Sequence, residues 1–367
     1  MSSERPSVLI VDDSRLVRQM LVDVLESSGE FRVAGEAEDG LDAIRKVHAL
    51  DPDVVTLDVE MPGLDGLQAL GYIMSETPRA VVMLTAAGDR RGEDLTLRAL
   101  ELGAVEFVRK PAPDEGLQAV DLRERILGAL RSAIGVNLAA AASLISRPVR
   151  ARLRAAQPPR AATRIVALAA STGGPRALAE LIPQLPPDLG GAVLIAQHMP
   201  AGFTGSLADR LDRRSALPVS EARDGDPVLE NHVYVAPGGR HLSVSLGMDG
   251  QPRLDVREDA PVHGVRPSAD ILFRSVAASF GAAAVGVVLT GMGRDGTDGL
   301  CALRQAGAFA IVQDEATSTV YGMPKTALGV AGADVVAALP QVAQAIAQAL
   351  PGRPQRPDVT LPALPRS

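Results

Sequence analysis

Short apolar segments alternate with amphipathic segments through the first 110 residues of this chain of 367. Five of the apolar segments look like strands: SVLIVD, FRVAGEA, DVVTLD, AVVMLT and AVEFVRK. Between them lie stretches with apolar residues at helical spacing, such as SRLVRQMLVDVLESS. This alternation is typical of βαβ units around a buried parallel sheet. The sequence therefore predicts an α/β domain over residues 1–134, closed by the helix DLRERILGALRSAI.

A stretch without this pattern separates the first domain from a second one. Residues 135–163 consist largely of Ala, Arg and Pro, which predicts an interdomain linker. Strand-like segments then return as TRIVALAAS, GAVLIAQH, HVYVAP, AVGVVLTG and FAIVQD. They predict a second α/β domain with a parallel sheet over residues 164–350. The Pro-rich tail, residues 351–367, is expected to be disordered.

The net charge of −7 is unevenly distributed along the chain. Residues 1–130 carry 14 Lys and Arg against 25 Asp and Glu, whereas residues 131–164 carry seven Arg and no acid. This basic stretch adjoins an acidic domain that offers a nearer partner, so we expect no binding to nucleic acid. The N-terminus lacks signal-peptide features and no apolar run reaches membrane-spanning length. With a single cysteine, Cys301, the sequence predicts a cytoplasmic protein that does not insert into membranes.

Acidic and basic side chains follow the strands predicted in the first domain. Asp12 and Asp13 follow the first strand, Asp58 ends the third, and Thr85 and Lys110 end two others. Side chains that act together in a parallel sheet gather at its carboxyl edge. Each residue alone also fits a cap or a turn after a strand. All five together favour a phosphoryl site, in which Asp58 is the acceptor and Mg²⁺ relieves the repulsion between carboxylates.

The motifs IVDDS, LDVEMPGLDG and FVRKP resemble the receiver domain of two-component response regulators. The match runs from residue 7 to about residue 130 and implies a flavodoxin-like fold. By this resemblance Asp58 accepts a phosphoryl group from a chemotaxis histidine kinase, and Asp12 and Asp13 join it in binding Mg²⁺. The resemblance also implies a cis peptide bond before Pro111. The implied switch residues are Thr85, Phe107 and Lys110.

In the second domain, a serine follows the first strand, in the motif AASTGGP. Its residues also suit a helix start, with Ser171 or Thr172 as N-cap and Pro175 in the first turn, so the motif alone does not establish a nucleophile. Of the five histidines, His198 alone directly follows a buried parallel strand, and Asp295 follows the later strand AVGVVLT. The three strand ends predict a Ser–His–Asp set at one sheet edge.

The loop GMGRDG supports a competing interpretation, since it matches the pattern G-x-G-x-x-G. It lies between a predicted strand and a predicted helix, and Asp314 follows about twenty residues later, as in dinucleotide-binding folds. Against this, Asp295 would place a carboxylate in the loop that should bind a pyrophosphate. Spacing alone leaves open an NAD-dependent enzyme, and also a non-catalytic interaction module controlled by the first domain.

Six motifs in the second domain resemble the catalytic domain of chemotaxis protein-glutamate methylesterases. They run in the family's order across residues 164 to about 347: ASTGGP, QHMP, VYVAPGGRH, RPSAD, LTGMGRDG and DEATSTVYGMP. The resemblance implies a doubly wound, Rossmann-like hydrolase domain behind the receiver. It further implies that Ser171 is the nucleophile, His198 the general base and Asp295 its orienting partner. Thr172 and the backbone N–H of Met292 are implied supports for the oxyanion.

The implied activity is a phosphorylation-regulated hydrolysis that needs no cofactor for the hydrolytic step. Its substrates would be glutamate 5-methyl esters of methyl-accepting chemotaxis receptors, with deamidation of receptor glutamines as a second activity. The linker is unusually rich in Arg and Ala, which makes the contact between the domains the least transferable part of the resemblance.

Overall fold

The computed structural model describes residues 5–86, 90–110, 119–138 and 160–350. The chain divides into two compact units, residues 1–145 and 146–367, and the division falls within the expected linker. Most of that linker, the whole C-terminal tail and the peptide bond before Pro111 lie outside the described residues. No helix in the described ranges is both long and apolar enough to cross a membrane.

The first unit contains a five-stranded parallel sheet in the order β2-β1-β3-β4-β5, which confirms the predicted α/β class. Helices follow its strands along the chain. The elements in chain order are β1 (Ser7–Val11), α1 (Arg15–Ser28), β2 (Arg32–Ala37), α2 (Gly40–Leu50), β3 (Val54–Asp58), α3 (Gly66–Glu76), β4 (Ala80–Ala86), α4 (Arg90–Leu102), β5 (Glu106–Lys110) and α5 (Ala119–Ile134).

Local side-chain chemistry sets several helix ends in this unit. Asp39 caps α2 by accepting from the backbone N–H of Asp42 at 2.8 Å. Asp65 and Gln68 form a reciprocal capping box at the start of α3. Gly29 caps the C-terminal end of α1, and its φ of 68° suits a residue without a side chain.

The position of the first site follows from the order of the strands. The chain passes from β1 to β2 on one side and returns to place β3 on the other side of β1. Ligands of open α/β sheets bind where the strand order reverses, outside the carboxyl ends of the strands. Asp12 directly follows β1 and Asp58 is the last residue of β3, so both lie at this reversal.

The second unit contains a seven-stranded parallel sheet in the order β14-β13-β12-β6-β7-β9-β8. A separate antiparallel hairpin, β10–β11, was not expected from the sequence. The elements in chain order are β6 (Ile165–Ala170), α6 (Gly174–Leu181), β7 (Ala192–Gln197), α7 (Phe203–Asp212), β8 (Val219–Glu221), β9 (Val233–Val235), β10 (His241–Leu246), β11 (Pro252–Arg257), α8 (Ala269–Phe280), β12 (Ala284–Val288), α9 (Thr297–Gln305), β13 (Phe309–Gln313), α10 (Met323–Val330), β14 (Val335–Ala337) and α11 (Leu339–Ala349).

The central strands of this sheet are built from small aliphatic residues. Every residue of β6, β7 and β12 is buried, as expected for parallel strands that are covered on both faces. Strand β6 lies between β12 and β7 in the sheet. The strand order again reverses at β6, so the loops after β12, β6 and β7 meet at one edge.

Candidate functional sites

Three carboxylates meet at the carboxyl edge of the first sheet. Asp12, Asp13 and Asp58 each offer an oxygen, and these oxygens lie within 4.8 Å of one another. Asp12 and Asp58 are buried, while Asp13 is exposed. The Nζ of Lys110 is 2.7 Å from Oδ2 of Asp12 and 2.7 Å from Oδ2 of Asp58. The structure thus brings together the four charged residues that the sequence predicted for this site.

The charges of this cluster suit a hard divalent cation. Burial raises the pKa of Asp58 to about 6, although the charge and hydrogen bond of Lys110 oppose the rise. Three carboxylates against one ammonium leave an excess of two negative charges. Carboxylate oxygens are the ligands that Mg²⁺ prefers, so Asp12, Asp13 and Asp58 fit the expected Mg²⁺ site.

The predicted switch residues lie on the two strands beside β3. Asp58 pairs with Leu84 in the sheet, so Thr85 is one position further along β4. The hydroxyl of Thr85 is buried and lies 3.3 Å from that of Thr96 on α4. Phe107 is half-buried on β5, three residues before Lys110.

Arg18 supports this edge, although no sequence motif pointed to it. Its Nη1 donates to the carbonyl of Asp12 at 2.8 Å and to that of Asp13 at 3.3 Å. Its Nε pairs with Glu36 at 3.0 Å. Arg18 therefore fixes the backbone that carries two of the three carboxylates. An Arg one turn into the helix after IVDDS is the only sequence signal for it.

The second site forms at the edge of the sheet where β12, β6 and β7 end. The Nε2 of His198 is 2.7 Å from Oδ2 of Asp295. The backbone N–H of His198 donates to the carbonyl of Ala170, and that of Ser171 donates to the carbonyl of Thr290, each at 3.0 Å. The structure therefore brings the segments of all three predicted residues to one edge, with His198 and Asp295 in direct contact.

Asp295 is only 3% exposed and is surrounded by donors. Its Oδ1 accepts from the Ser268 hydroxyl at 2.7 Å, and its Oδ2 accepts from the backbone N–H of Ala269 at 2.6 Å. Burial alone would raise its pKa. The hydrogen bond and charge of His198, with the bonds from Ser268 and Ala269, outweigh burial and lower the pKa of Asp295 to about 2. Asp295 is therefore an anion throughout the neutral range.

Gln197 joins the backbones of the nucleophile and base candidates. Its Nε2 donates to the carbonyl of Ser171 and to the carbonyl of His198, each at 3.0 Å. Only the amide nitrogen can donate to two carbonyls, so these contacts fix the orientation of the side chain. The sequence indicates a role for Gln197 only through its position directly before His198.

Thr290 likewise joins the backbones of two loops near Ser171 through hydrogen bonds of its side chain. Its hydroxyl donates to the carbonyl of Thr172 at 3.0 Å and accepts from the backbone N–H of Val320 at 2.9 Å. Thr172 is buried, and its carbonyl is held in this way beside the end of β12. No spacing in the sequence predicts this contact, because it joins segments 118 and 30 residues apart.

Gly291 is required by close packing against Ser171. A methyl group at residue 291 would lie 2.7 Å from Cβ of Ser171 and even closer to Sδ of Met323. The next residue, Met292, is 46% exposed. Met292, the predicted oxyanion support, therefore directly follows Gly291, the residue that packs against Ser171.

The glycine-rich loop does not fit the dinucleotide interpretation. Asp295 lies within the loop and is directed to His198 and to the start of α8. Helix α9 begins at Thr297, with Gly296 at φ 85° before it. A buried carboxylate in this loop would repel a pyrophosphate. The loop instead supplies Asp295 to the pair with His198.

A second cluster of possible metal ligands is already neutralised. His263, Asp270 and Asp298 place donor atoms within 4.8 Å of one another. Arg294 and Arg274 lie 3.0 and 3.8 Å from oxygens of Asp298. Because these guanidinium groups would repel a cation, we assign no metal to this cluster.

Two family models match the two units separately. Residues 8–121 match the response regulator receiver domain, and residues 166–346 match the CheB methylesterase. Two solved structures from Thermotoga maritima are similar to parts of the chain. The CheB methylesterase catalytic domain is 38% identical, covers 50% of this chain and 97% of that one, and has a TM-score of 0.49. The response regulator domain of CheB is 37% identical, covers 36% and 99%, and has a TM-score of 0.34.

Relatives of similar length match almost the whole chain. A protein-glutamate methylesterase/protein-glutamine glutaminase of Pyrococcus horikoshii is 42% identical over 344 residues, which cover 94% of this chain and 93% of that protein. A protein of the same name from Symbiobacterium thermophilum is 44% identical over 359 residues, which cover 95% and 98%. The chain therefore belongs to the protein-glutamate methylesterase/protein-glutamine glutaminase family, with a receiver domain ahead of a CheB methylesterase domain.

Proposed function

We propose that this protein removes methyl groups from glutamate 5-methyl esters of methyl-accepting chemotaxis receptors, under the control of phosphorylation at Asp58. Deamidation of receptor glutamines is its second activity. The observation that carries the hydrolytic assignment is the hydrogen bond between the partly buried His198 and the buried Asp295, at the sheet edge where Ser171 follows β6. Family membership supports the substrate class.

The contact between His198 and Asp295 assigns roles to the two ring nitrogens. An ionised carboxylate accepts the hydrogen bond at 2.7 Å, so Nε2 of His198 carries the proton. Nδ1 is then the nitrogen with the free lone pair, and it takes the proton of Ser171. In the common Ser-His-Asp template the carboxylate binds Nδ1 and Nε2 is the base. The two nitrogens have exchanged roles here.

Hydrolysis proceeds by acyl transfer in two steps. The Oγ of Ser171 attacks the ester carbonyl as Nδ1 of His198 takes its proton. Backbone N–H groups near Thr172 and Met292 stabilise the oxyanion. The intermediate collapses, and the leaving oxygen takes the proton from Nδ1 and departs as methanol. Water then loses a proton to Nδ1 and attacks the acyl-enzyme, which releases glutamate and restores Ser171. A glutamine side chain follows the same path and releases ammonia.

In the receiver, the carboxylate of Asp58 attacks the phosphorus of a phosphohistidine on a chemotaxis histidine kinase, and the P–N bond breaks as the imidazole leaves. Asp12, Asp13 and Asp58 would hold Mg²⁺, which would supply positive charge to the phosphoryl oxygens. Lys110 adds a second positive charge, and the Thr85 hydroxyl donates to one of these oxygens. Phe107 changes rotamer with Thr85. The unphosphorylated receiver restrains the hydrolase, and phosphorylation shifts the population to the active form.

Replacing Ser171 by Ala tests the nucleophile. We expect methanol release from methylated receptors to fall by at least about 1,000-fold, because the residual rate then rests on binding and the oxyanion site alone. Phosphorylation of Asp58 by a small-molecule phosphodonor should be unchanged. Ser245→Ala, at an exposed position on β10, is the matched control and should keep full activity. Substantial residual esterase in Ser171→Ala would remove Ser171 from its role.

A fluorophosphonate probe separates a hydrolase from a non-catalytic interaction module. We expect rapid labelling of the wild-type protein at Ser171 and none in Ser171→Ala. A wild-type protein that resists the probe would favour the interaction module.

A further inference from the structure

We propose that Ser268, itself fixed by His241, is a positioning residue that holds Asp295 in the orientation that His198 needs for hydrolysis. The inference rests on the proposed function and extends the His–Asp pair by two buried residues. Neither residue touches the substrate in this account, since Ser268 is fully buried and His241 is 2% exposed.

The first step is the contact between Ser268 and the carboxylate. The Ser268 hydroxyl donates to Oδ1 of Asp295 at 2.7 Å, on the oxygen that His198 does not contact. Backbone N–H groups of Ala269 and Asp270, in the first turn of α8, donate to the same carboxylate at 2.6 and 3.2 Å. Asp295 is thus held at both oxygens.

The second step is that Ser268 occupies a helix-capping position but does not cap its helix. Ser268 is the N-cap residue of α8, but its side chain makes no capping hydrogen bond to its own helix. A serine at this position usually accepts from a backbone N–H of the first turn. Here the carboxylate of Asp295 takes those N–H groups, and the hydroxyl donates to the carboxylate instead. Because the Ser268 hydroxyl does not cap α8, its role in this structure is to donate a hydrogen bond to Asp295.

The third step is the support that His241 gives to Ser268. The Nε2 of His241 is 3.0 Å from the carbonyl of Ala260, which can only accept, so Nε2 carries the proton. Nδ1 therefore has the lone pair, and it accepts from the backbone N–H of Ser268 at 3.1 Å. One neutral tautomer satisfies both contacts. His241 begins the β10–β11 hairpin, so this hairpin holds the backbone of Ser268, whose side chain contacts Asp295.

The consequence for catalysis follows from the freedom of an aspartate side chain. Without the Ser268 hydroxyl, the carboxylate of Asp295 loses a charge-assisted bond and can rotate away from Nε2 of His198. A smaller fraction of the enzyme then holds His198 in the reactive orientation. We expect kcat to fall while KM stays near its wild-type value, because ground-state binding of the receptor is unchanged.

The experiment compares two serines of the same region in the full-length protein, activated with a small-molecule phosphodonor. Ser268→Ala removes the contact to Asp295. Ser275→Ala is the matched control, because its hydroxyl bonds to backbone groups instead of Asp295, accepting from the N–H of Val244 at 3.1 Å and donating to the carbonyl of Leu272 at 2.7 Å. We expect Ser268→Ala to lower kcat for methanol release by about 10-fold at constant KM, as one hydrogen bond to a charged group warrants. Ser275→Ala should stay within about 2-fold of wild type.

Two variants of His241 test the same proposal without depending on whether Ser268→Ala folds. His241→Asn retains an acceptor near the position of Nδ1, whereas His241→Leu removes it. We expect His241→Leu to lose kcat by about 10-fold and His241→Asn to recover most of the loss. Wild-type kcat in Ser268→Ala, a loss that appears only in KM, or equal losses in His241→Asn and His241→Leu would each overturn the proposal.

The rate of fluorophosphonate labelling at Ser171 separates this proposal from the proposed substrate, because labelling needs no receptor. Ser268→Ala should be labelled about 10-fold more slowly than wild type. If the wild type releases no methanol but is labelled, the proposed substrate fails while the labelling rates still decide the role of Ser268.

Discussion

At the scale of single residues, Asp58 and Asp295 are two buried carboxylates whose pKa values are shifted in opposite directions. Burial raises the pKa of Asp58 to about 6 despite Lys110. Hydrogen bonds from His198, Ser268 and Ala269 overcome burial at Asp295 and lower its pKa to about 2. The first carboxylate is therefore stabilised as an anion by added positive charge, such as a bound cation, while the second is an anion held by hydrogen bonds beside a histidine.

The lowered pKa of Asp295 predicts a loss of stability in acid. A carboxylate with a depressed pKa stabilises the folded state above its unfolded pKa, near 3.8, and the contribution disappears as the pH falls through about 2. The shift corresponds to about 2 kcal/mol. We expect calorimetry to show that wild type exceeds Asp295→Asn in unfolding free energy at pH 5. That advantage should shrink as the pH falls from 4 towards 2. An advantage that stays constant over this window would contradict the pKa assignment.

Apart from Phe107, which lies within β5, the site residues that the sequence predicted end a strand or lie in the loop that follows one. Asp58, Ser171 and His198 could be found in this way because parallel strands carry their ends to a common edge. Gln197 and Ser268 act on backbone and carboxylate groups that are far away in the sequence. Such contacts have no periodicity and no fixed spacing, so they appear only in the folded chain.

At the scale of elements, the order of β12, β6 and β7 decides the second site. Residues 171, 198 and 295 are far apart in the chain, yet their strands are adjacent in the sheet. The continuous apolar runs predicted these strands, since fully buried parallel strands show no alternation. Strand β10 has exposed residues at Ser245 and Leu246, so its sequence lacks the continuous apolar run that predicted the buried parallel strands.

Gly291 gives a prediction about the loop after β12. Gly291→Ala should lower esterase activity by at least about 10-fold, because the added methyl group would displace the backbone or Cβ of Ser171. Gly329→Ala is the matched control, since residue 329 lies in α10 with open space around it. That change should leave activity intact and stabilise the fold by up to about 1 kcal/mol. Full activity in Gly291→Ala would show that the loop can yield without moving the serine.

At the scale of the whole molecule, an acidic receiver precedes a basic stretch and a hydrolase domain. Residues 1–130 carry 25 acidic against 14 basic residues, and residues 131–164 carry seven arginines without an acid. If the unphosphorylated receiver restrains the hydrolase as proposed, we expect attraction between these oppositely charged segments to contribute, and added salt should then weaken the restraint. The sequence indicated two domains from the break in its pattern. It could not indicate how they communicate, because that depends on contacts between surfaces.

A fragment that lacks the receiver is the natural reference for this restraint, and the structure shows where it should begin. The backbone N–H of Glu230 donates to the carbonyl of Arg160, and that of Ala162 donates to the carbonyl of Val228, each at 2.8 Å. Residues 160–162 thus pair with the hydrolase unit. A fragment of residues 160–350 keeps these bonds, whereas a start at Thr163 would break them.

Control of the hydrolase through Asp58 can be tested by methanol release from a methylated receptor, measured for the full chain with and without a small-molecule phosphodonor. We expect the phosphodonor to raise the rate of the wild type by at least about 10-fold, and the 160–350 fragment to exceed the untreated full chain. Asp58→Asn should show the basal rate and no response, while Asp23→Asn, at an exposed position on α1, should respond like wild type. Chelation of divalent cations should also abolish the response. A phosphodonor response that persists in Asp58→Asn, or equal rates for the fragment and the untreated chain, would contradict control of the hydrolase through Asp58.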